Sequence, residues 1–194
     1  MKKSNKMSTK TIALCSIMTA LVIILQFMGS FIHLGMFSIS LVLIPIVIGT
    51  ATCGVWAGAW LGLIFGIVVL LSGDAAAFLA INAPGTILTV LLKGIACGTL
   101  AGLTYRFFEN KNRLLAVILA AIVCPLANTG IFLLGCLAFF MDTIALWASQ
   151  FGFDNVARYM IFGLVGGNFL FELGFNIILS PAIIRLLNIR KKQR

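Results

Sequence analysis

Lys93, Asn168, Glu172 and Asn176 are the residues of this chain whose chemistry departs furthest from their surroundings. Asn168, Glu172 and Asn176 stand four apart inside one hydrophobic stretch. Residues at i, i+4 and i+8 share one face of a helix. Lys93 sits in the middle of an earlier apolar stretch. A charged side chain near a bilayer centre costs at least ~2.5 kcal/mol, so it needs a partner or a purpose. An ammonium and a carboxylate among asparagines can form a structural ion pair within the bundle. They can also line a pocket for a small polar solute, where the ammonium would suit a carboxylate.

Depth sorts these residues. Counting along a helix, Lys93 lies roughly 13 Å past Pro84. Asn168 lies at a similar depth from the start of the last stretch, and Glu172 is about 6 Å deeper. Asn128, next to Thr129, falls near the middle of the fifth stretch, and Asn82 just precedes Pro84. Lys93, Asn128, Asn168, Glu172 and Asn82 are therefore the expected lining of a cavity that opens outward with its floor near midplane. Asn176, one turn further in, is expected to bond between helices beneath it.

Composition sets the surroundings. The 194 residues are 61% hydrophobic and only 10% charged, well under the ~25% charged residues of a soluble domain. The net charge of +9 comes mostly from the two ends and one short loop, which leaves no surface for a basic nucleic-acid groove. Cys15, Cys53, Cys97, Cys124 and Cys136 form no C-x-x-C pair and read as small packing residues. His33, the one histidine, has no cysteine or histidine near it, so neither a metal site nor a cofactor is expected. No H-E-x-x-H, G-x-S-x-G or phosphate-binding G-x-x-x-x-G-K-[ST] motif occurs, so the chain does not read as an enzyme. Any ATP-driven work must be powered by another protein.

Six stretches are long enough to cross ~30 Å of hydrocarbon as helices: 11–29, 36–52, 54–72, 84–106, 114–140 and 159–187. Lys2, Lys3, Lys6 and Lys10 before the first resemble a signal-peptide start, but the run is too long for a signal core and reads as a retained span. Pro84 suits a first helical turn. Pro45, Pro125 and Pro181 fall inside spans and are expected to kink them. With the N-terminus in the cytoplasm, Arg106, Lys111, Arg113, Arg185, Arg190, Lys191, Lys192 and Arg194 are also internal. The external segments 30–35, 73–83 and 141–158 hold Asp74, Asp142, Asp154 and a single basic residue, Arg158, which satisfies the positive-inside rule. The expected fold is a single-domain, all-α integral membrane protein, a six-transmembrane-helix bundle with both termini cytoplasmic. The 141–158 segment, with Trp147, Phe151 and Phe153, reads as a short interfacial helix over the outer mouth.

Gly54, Gly58, Gly62 and Gly66 recur every fourth residue, as do Gly94, Gly98 and Gly102. Small-residue faces let helix backbones approach closely. Internal packing is the first reading, and a contact surface for another membrane protein is the alternative. Ser16 and Ala20 make a shorter face of the same kind.

With these features in place, the chain resembles the substrate-binding (S) components of energy-coupling-factor vitamin transporters over essentially its whole length. The likeness rests on TIALCSIMTAL at Thr11–Leu21, on LIPIVIG at Leu43–Gly49 before a glycine-rich third span, on PLANTG at Pro125–Gly130, and on FELGFN at Phe171–Asn176 followed by Pro181. The resemblance implies a subunit of the bacterial cell membrane that captures a vitamin from outside. It would then dock on a transmembrane coupling protein that carries two ATPase subunits. It also implies a docking face of the Ala-x-x-x-Ala kind on the first helix, which Ser16 and Ala20 match with serine in the first place. No motif fixes thiamine, riboflavin or biotin. Lys93 points to an anionic vitamin, with pantothenate or a folate as candidates. A self-contained ion-coupled carrier or channel, using Lys93 and Glu172 as a relay, is the alternative function.

Overall fold

The computed structural model describes residues 9–31, 33–34, 37–38 and 41–192. Lys2, Lys3, Lys6 and Arg194 lie outside the described residues. Among the described residues, the regular structure is helical apart from a minimal antiparallel pair, β1 (His33–Leu34) and β2 (Phe37–Ser38). The helices are α1 (Thr9–Gly29), α2 (Leu43–Cys53), α3 (Val55–Ser72), α4 (Ala76–Ile81), α5 (Ala83–Phe108), α6 (Arg113–Phe139), α7 (Met141–Gln150) and α8 (Val156–Arg158). A π-helical segment, Tyr159–Val165, then leads into α9 (Gly166–Lys192). Among the described residues, α1, α3, α5, α6 and the stretch Val156–Arg185 are long and apolar enough to cross a membrane.

The second stretch departs from expectation. The 36–52 span begins as β2 and a turn, and helix starts only at Leu43. Eleven residues rise about 16 Å, half a bilayer core. Pro45 therefore sits in the first turn of α2, where its missing N–H costs no helical bond, and it is not a kink within a span. Pro125 and Pro181 do lie inside α6 and α9. Pro84 opens α5 as expected. Between α2 and α3 the chain reverses at Gly54, whose φ of 97° favours a residue without Cβ.

α5 is the centre of the bundle, packed between α3 and α6. The glycine faces make that packing possible. A Cβ on Gly58 would meet the Gly98 carbonyl, one on Gly62 the Gly94 carbonyl, and one on Gly66 the Val90 oxygen at 2.9 Å. Gly58, Gly62 and Gly66 of the first row and Gly94 and Gly98 of the second are thus internal, backbone against backbone, while Gly54 is exposed at the turn. Gly102 continues the second row against Thr50 and Val55. Leu43, Ile46, Leu61, Phe65, Cys97, Val117 and Cys124 fill the core around it. The outer surface is apolar too, with Ile17, Ile24, Leu92, Leu103 and Ile178 exposed, as expected of helices facing lipid.

The 141–158 segment contains the short helix α7. Its buried Ile144 and Ala148 join Phe78, Phe140, Tyr159 and Leu164 in a second apolar cluster. Phe78 is its hub, edge-on to Phe132, Phe140 and Trp147 at 5.6, 4.9 and 5.5 Å between centroids.

Candidate functional site

Three helix faces converge beside this aromatic cluster. On α5, Thr86, Thr89, Val90 and Lys93 recur at three- and four-residue steps. On α6, Asn128, Thr129 and Phe132 do the same, and Val165 at the end of the π-helical segment is followed by Asn168, Phe169 and Glu172 on α9. Together they line one cavity with an open mouth. Gln26 of α1, Asp74 after α3, and Phe78 of α4 complete the wall.

Four of the five residues expected to line a cavity do so: Lys93, Asn128, Asn168 and Glu172. Asn82 does not. It is the N-cap of α5, with its Oδ1 accepting from the Gly85 N–H at 3.0 Å, so the side chain is committed to the helix end. Asn176 also stays outside the cavity, as depth counting implied. It is buried and donates through Nδ2 to the Glu172 carbonyl at 2.8 Å, a bond within its own helix where one between helices was expected.

Lys93 is half-buried, and its ammonium lies 5.4 Å from the Phe132 ring centre and 5.6 Å from that of Phe65. Such rings attract a cation through their negative faces. Glu172 and Asp74 both act on it electrostatically. The site thus combines one ammonium with two carboxylates, under an apolar wall of Val69, Val90 and Leu164.

Gln26 and Asp74 were not expected at the cavity; Asp74 reads in the sequence only as an acidic residue of an external segment. Gln26 Nε2 donates to Asp74 Oδ2 at 2.6 Å, and Ser72 Oγ donates to the same oxygen at 3.0 Å. Gln26 is the one amide inside the first apolar stretch, and the rule that singled out Lys93 applies equally to it. Gln26 Oε1, Thr89 Oγ1 and Asn128 Oδ1 are buried without a hydrogen-bond partner among the described residues.

The π-helical segment, with its extra residue per turn, immediately precedes Gly166 and Asn168. Insertions of this kind recur at functional sites because they rotate the following side chains relative to the preceding helix. Leu164 and Val165 at its end, and Asn168 and Glu172 beyond it, all reach the cavity.

Away from the cavity, Ser16 and Ala20 are exposed on α1, and Ser16 Oγ bonds back to the Ile12 carbonyl at 3.1 Å. This leaves a small-residue strip on the bundle's outside, flanked by exposed Ile12, Ile17 and Ile24.

Comparison with known proteins bears on the fold and the family. The solved structure of ThiT from Listeria monocytogenes superposes with a TM-score of 0.61 at 20% identity, over 91% of this chain and 96% of that one. At that identity the likeness establishes the fold. No curated protein sequence shows significant similarity to the chain. The family model described as ECF transporter, substrate-specific component, matches residues 10–184. The chain belongs to this family of substrate-specific components of ECF transporters.

Proposed function

We propose that this subunit captures a small water-soluble vitamin in the cavity bounded by Lys93, Asn128, Asn168 and Glu172. It then delivers the vitamin to a coupling module of one transmembrane protein and two ATPase subunits. The observation that carries the reading is the cavity itself: polar side chains from three helices converge on one space inside a largely apolar bundle. In this reading the protein is a multi-pass subunit of a bacterial plasma membrane, with both termini cytoplasmic. α2 is the short member of six helices, and Ser16 and Ala20 meet the coupling protein.

The preference for an anionic vitamin rested on Lys93 alone. Asp74 and Glu172 share the cavity with it, so the charge balance no longer favours pantothenate or a folate over a neutral or cationic vitamin. Phe78, Phe132, Phe140 and Phe169 along the wall suit a ligand with a flat or apolar part and a few polar groups.

Equilibrium dialysis of the purified protein against thiamine, riboflavin, biotin, pantothenate and folate tests capture. At least one is expected to bind, and Lys93→Ala, Asn128→Ala, Asn168→Ala and Glu172→Gln are expected to weaken it. Normal binding by all four folded variants would move the pocket elsewhere. Vigorous uptake into liposomes holding this chain alone, without ATP, would favour a self-contained carrier and overturn the proposal.

A further inference from the structure

Gln26 is 1% exposed, lines the cavity, and keeps one oxygen unpaired among the described residues. Its orientation is not free. A carboxylate oxygen only accepts hydrogen bonds, so the amide must turn its NH2 toward Asp74, 2.6 Å away. Ser72 Oγ donates to the same carboxylate oxygen and holds Asp74 in place. Oε1 of Gln26 is thereby fixed as an acceptor directed away from Asp74. Asn128 Oδ1, contributed by α6, is a second buried oxygen on the cavity wall without a partner among the described residues. A buried acceptor left without a donor is costly, and a bound molecule that supplies the donor recovers that cost.

We propose that Gln26 is a ligand-binding residue whose carboxamide oxygen accepts an N–H or O–H from the bound solute, with Asp74 as its positioning residue. This deepens the capture reading above and rests on it. The inferred ligand carries a hydrogen-bond donor at the end that reaches α1. Asp74, beside that position, favours an amino or hydroxyl group there and disfavours a carboxylate. α1 is then more than a docking strip, because one helix bears both the exposed Ser16–Ala20 face and a contact to the solute.

The test uses the full-length protein and the same five probes: thiamine, riboflavin, biotin, pantothenate and folate. For a probe that binds, Gln26→Met keeps the side-chain length, removes the acceptor, and should raise Kd on the order of tenfold or more. Asp74→Ala should do about the same. Asp74→Asn should restore most of the affinity, since an asparagine oxygen can still accept from Gln26 Nε2. Derivatives of the bound probe, each methylated at one N–H or O–H, supply a readout that lost packing would not move. One derivative should bind wild type about as poorly as the parent binds Gln26→Met, with no further loss in the variant. If Gln26→Met changes Kd less than about twofold, or every derivative is additive with it, the Gln26 assignment is wrong while capture stands. If none of the five binds, the vitamin reading fails and this inference fails with it.

Discussion

Gly62→Ala is the substitution whose sign the packing decides most sharply. In an exposed helix interior, alanine is better than glycine by about 1 kcal/mol. At Gly62 the added Cβ would run into the Gly94 carbonyl carbon and oxygen, and it would also press on the Ile95 Cα at 3.3 Å. A backbone carbonyl cannot rotate away as a side-chain end can, so α3 and α5 must separate. That separation also loosens the Gly58–Gly98 and Gly66–Val90 approaches above and below it. Overpacking of this kind costs about 1–3 kcal/mol, and contact with an immovable carbonyl puts Gly62 toward the upper end, so the expected balance is a net loss of up to about 2 kcal/mol. Gly174 of α9 is the matched control. Nothing lies within 4 Å of a Cβ built there, so Gly174→Ala should be neutral or gain up to about 1 kcal/mol. Tryptophan-monitored thermal unfolding in a single detergent reads both. Lys93 directly precedes Gly94, so Gly62→Ala should also weaken vitamin binding, whereas Gly174→Ala should not. A Gly62→Ala protein at least as stable as wild type would refute the claim that the two glycine rows touch backbone to backbone.

Further outcomes follow from the placement of other residues. Asn82→Ala removes the α5 cap and should lower stability by about 1 kcal/mol, while leaving vitamin affinity in equilibrium dialysis unchanged; a large loss of affinity would return Asn82 to the binding site. Ser16→Trp and Ala20→Trp fill the small strip on the outside of α1, and should abolish co-purification with the coupling module and ATP-driven uptake while Kd stays at its wild-type value. Loss of binding in either would mean that this face packs against something within the subunit.

Depth counting brought four residues to one cavity because helical rise is nearly invariant. Once Pro84 anchors the start of α5, Lys93, Asn128, Asn168 and Glu172 can be levelled against one another without knowing how the helices pack, and the structure brings all four to one cavity. The same arithmetic set Asn176 apart, correctly, from the residues one and two turns before it. It failed where local hydrogen bonding decides. Asn82 has the right level, but a side chain two residues before a Pro-initiated turn of helix finds the Gly85 N–H before it finds a cavity. It was also blind to contacts that depend on which helices become neighbours. Gln26 and Asp74 are 48 residues apart, and nothing in either local pattern announces a bond between them. The short α2 was hidden for a different reason: an apolar run of seventeen residues has the same hydropathy whether it is one helix or a hairpin followed by a shorter helix, and only pairing of His33–Leu34 with Phe37–Ser38 tells them apart. These failures have a common direction. Polarity inside an apolar chain marks where a site must be, but whether a given amide faces the ligand is settled by the nearest competing donor or acceptor. Asn82 meets the Gly85 N–H and is taken out of the cavity. Gln26 meets a carboxylate that can bind only one half of its amide, and the other half is left for the solute.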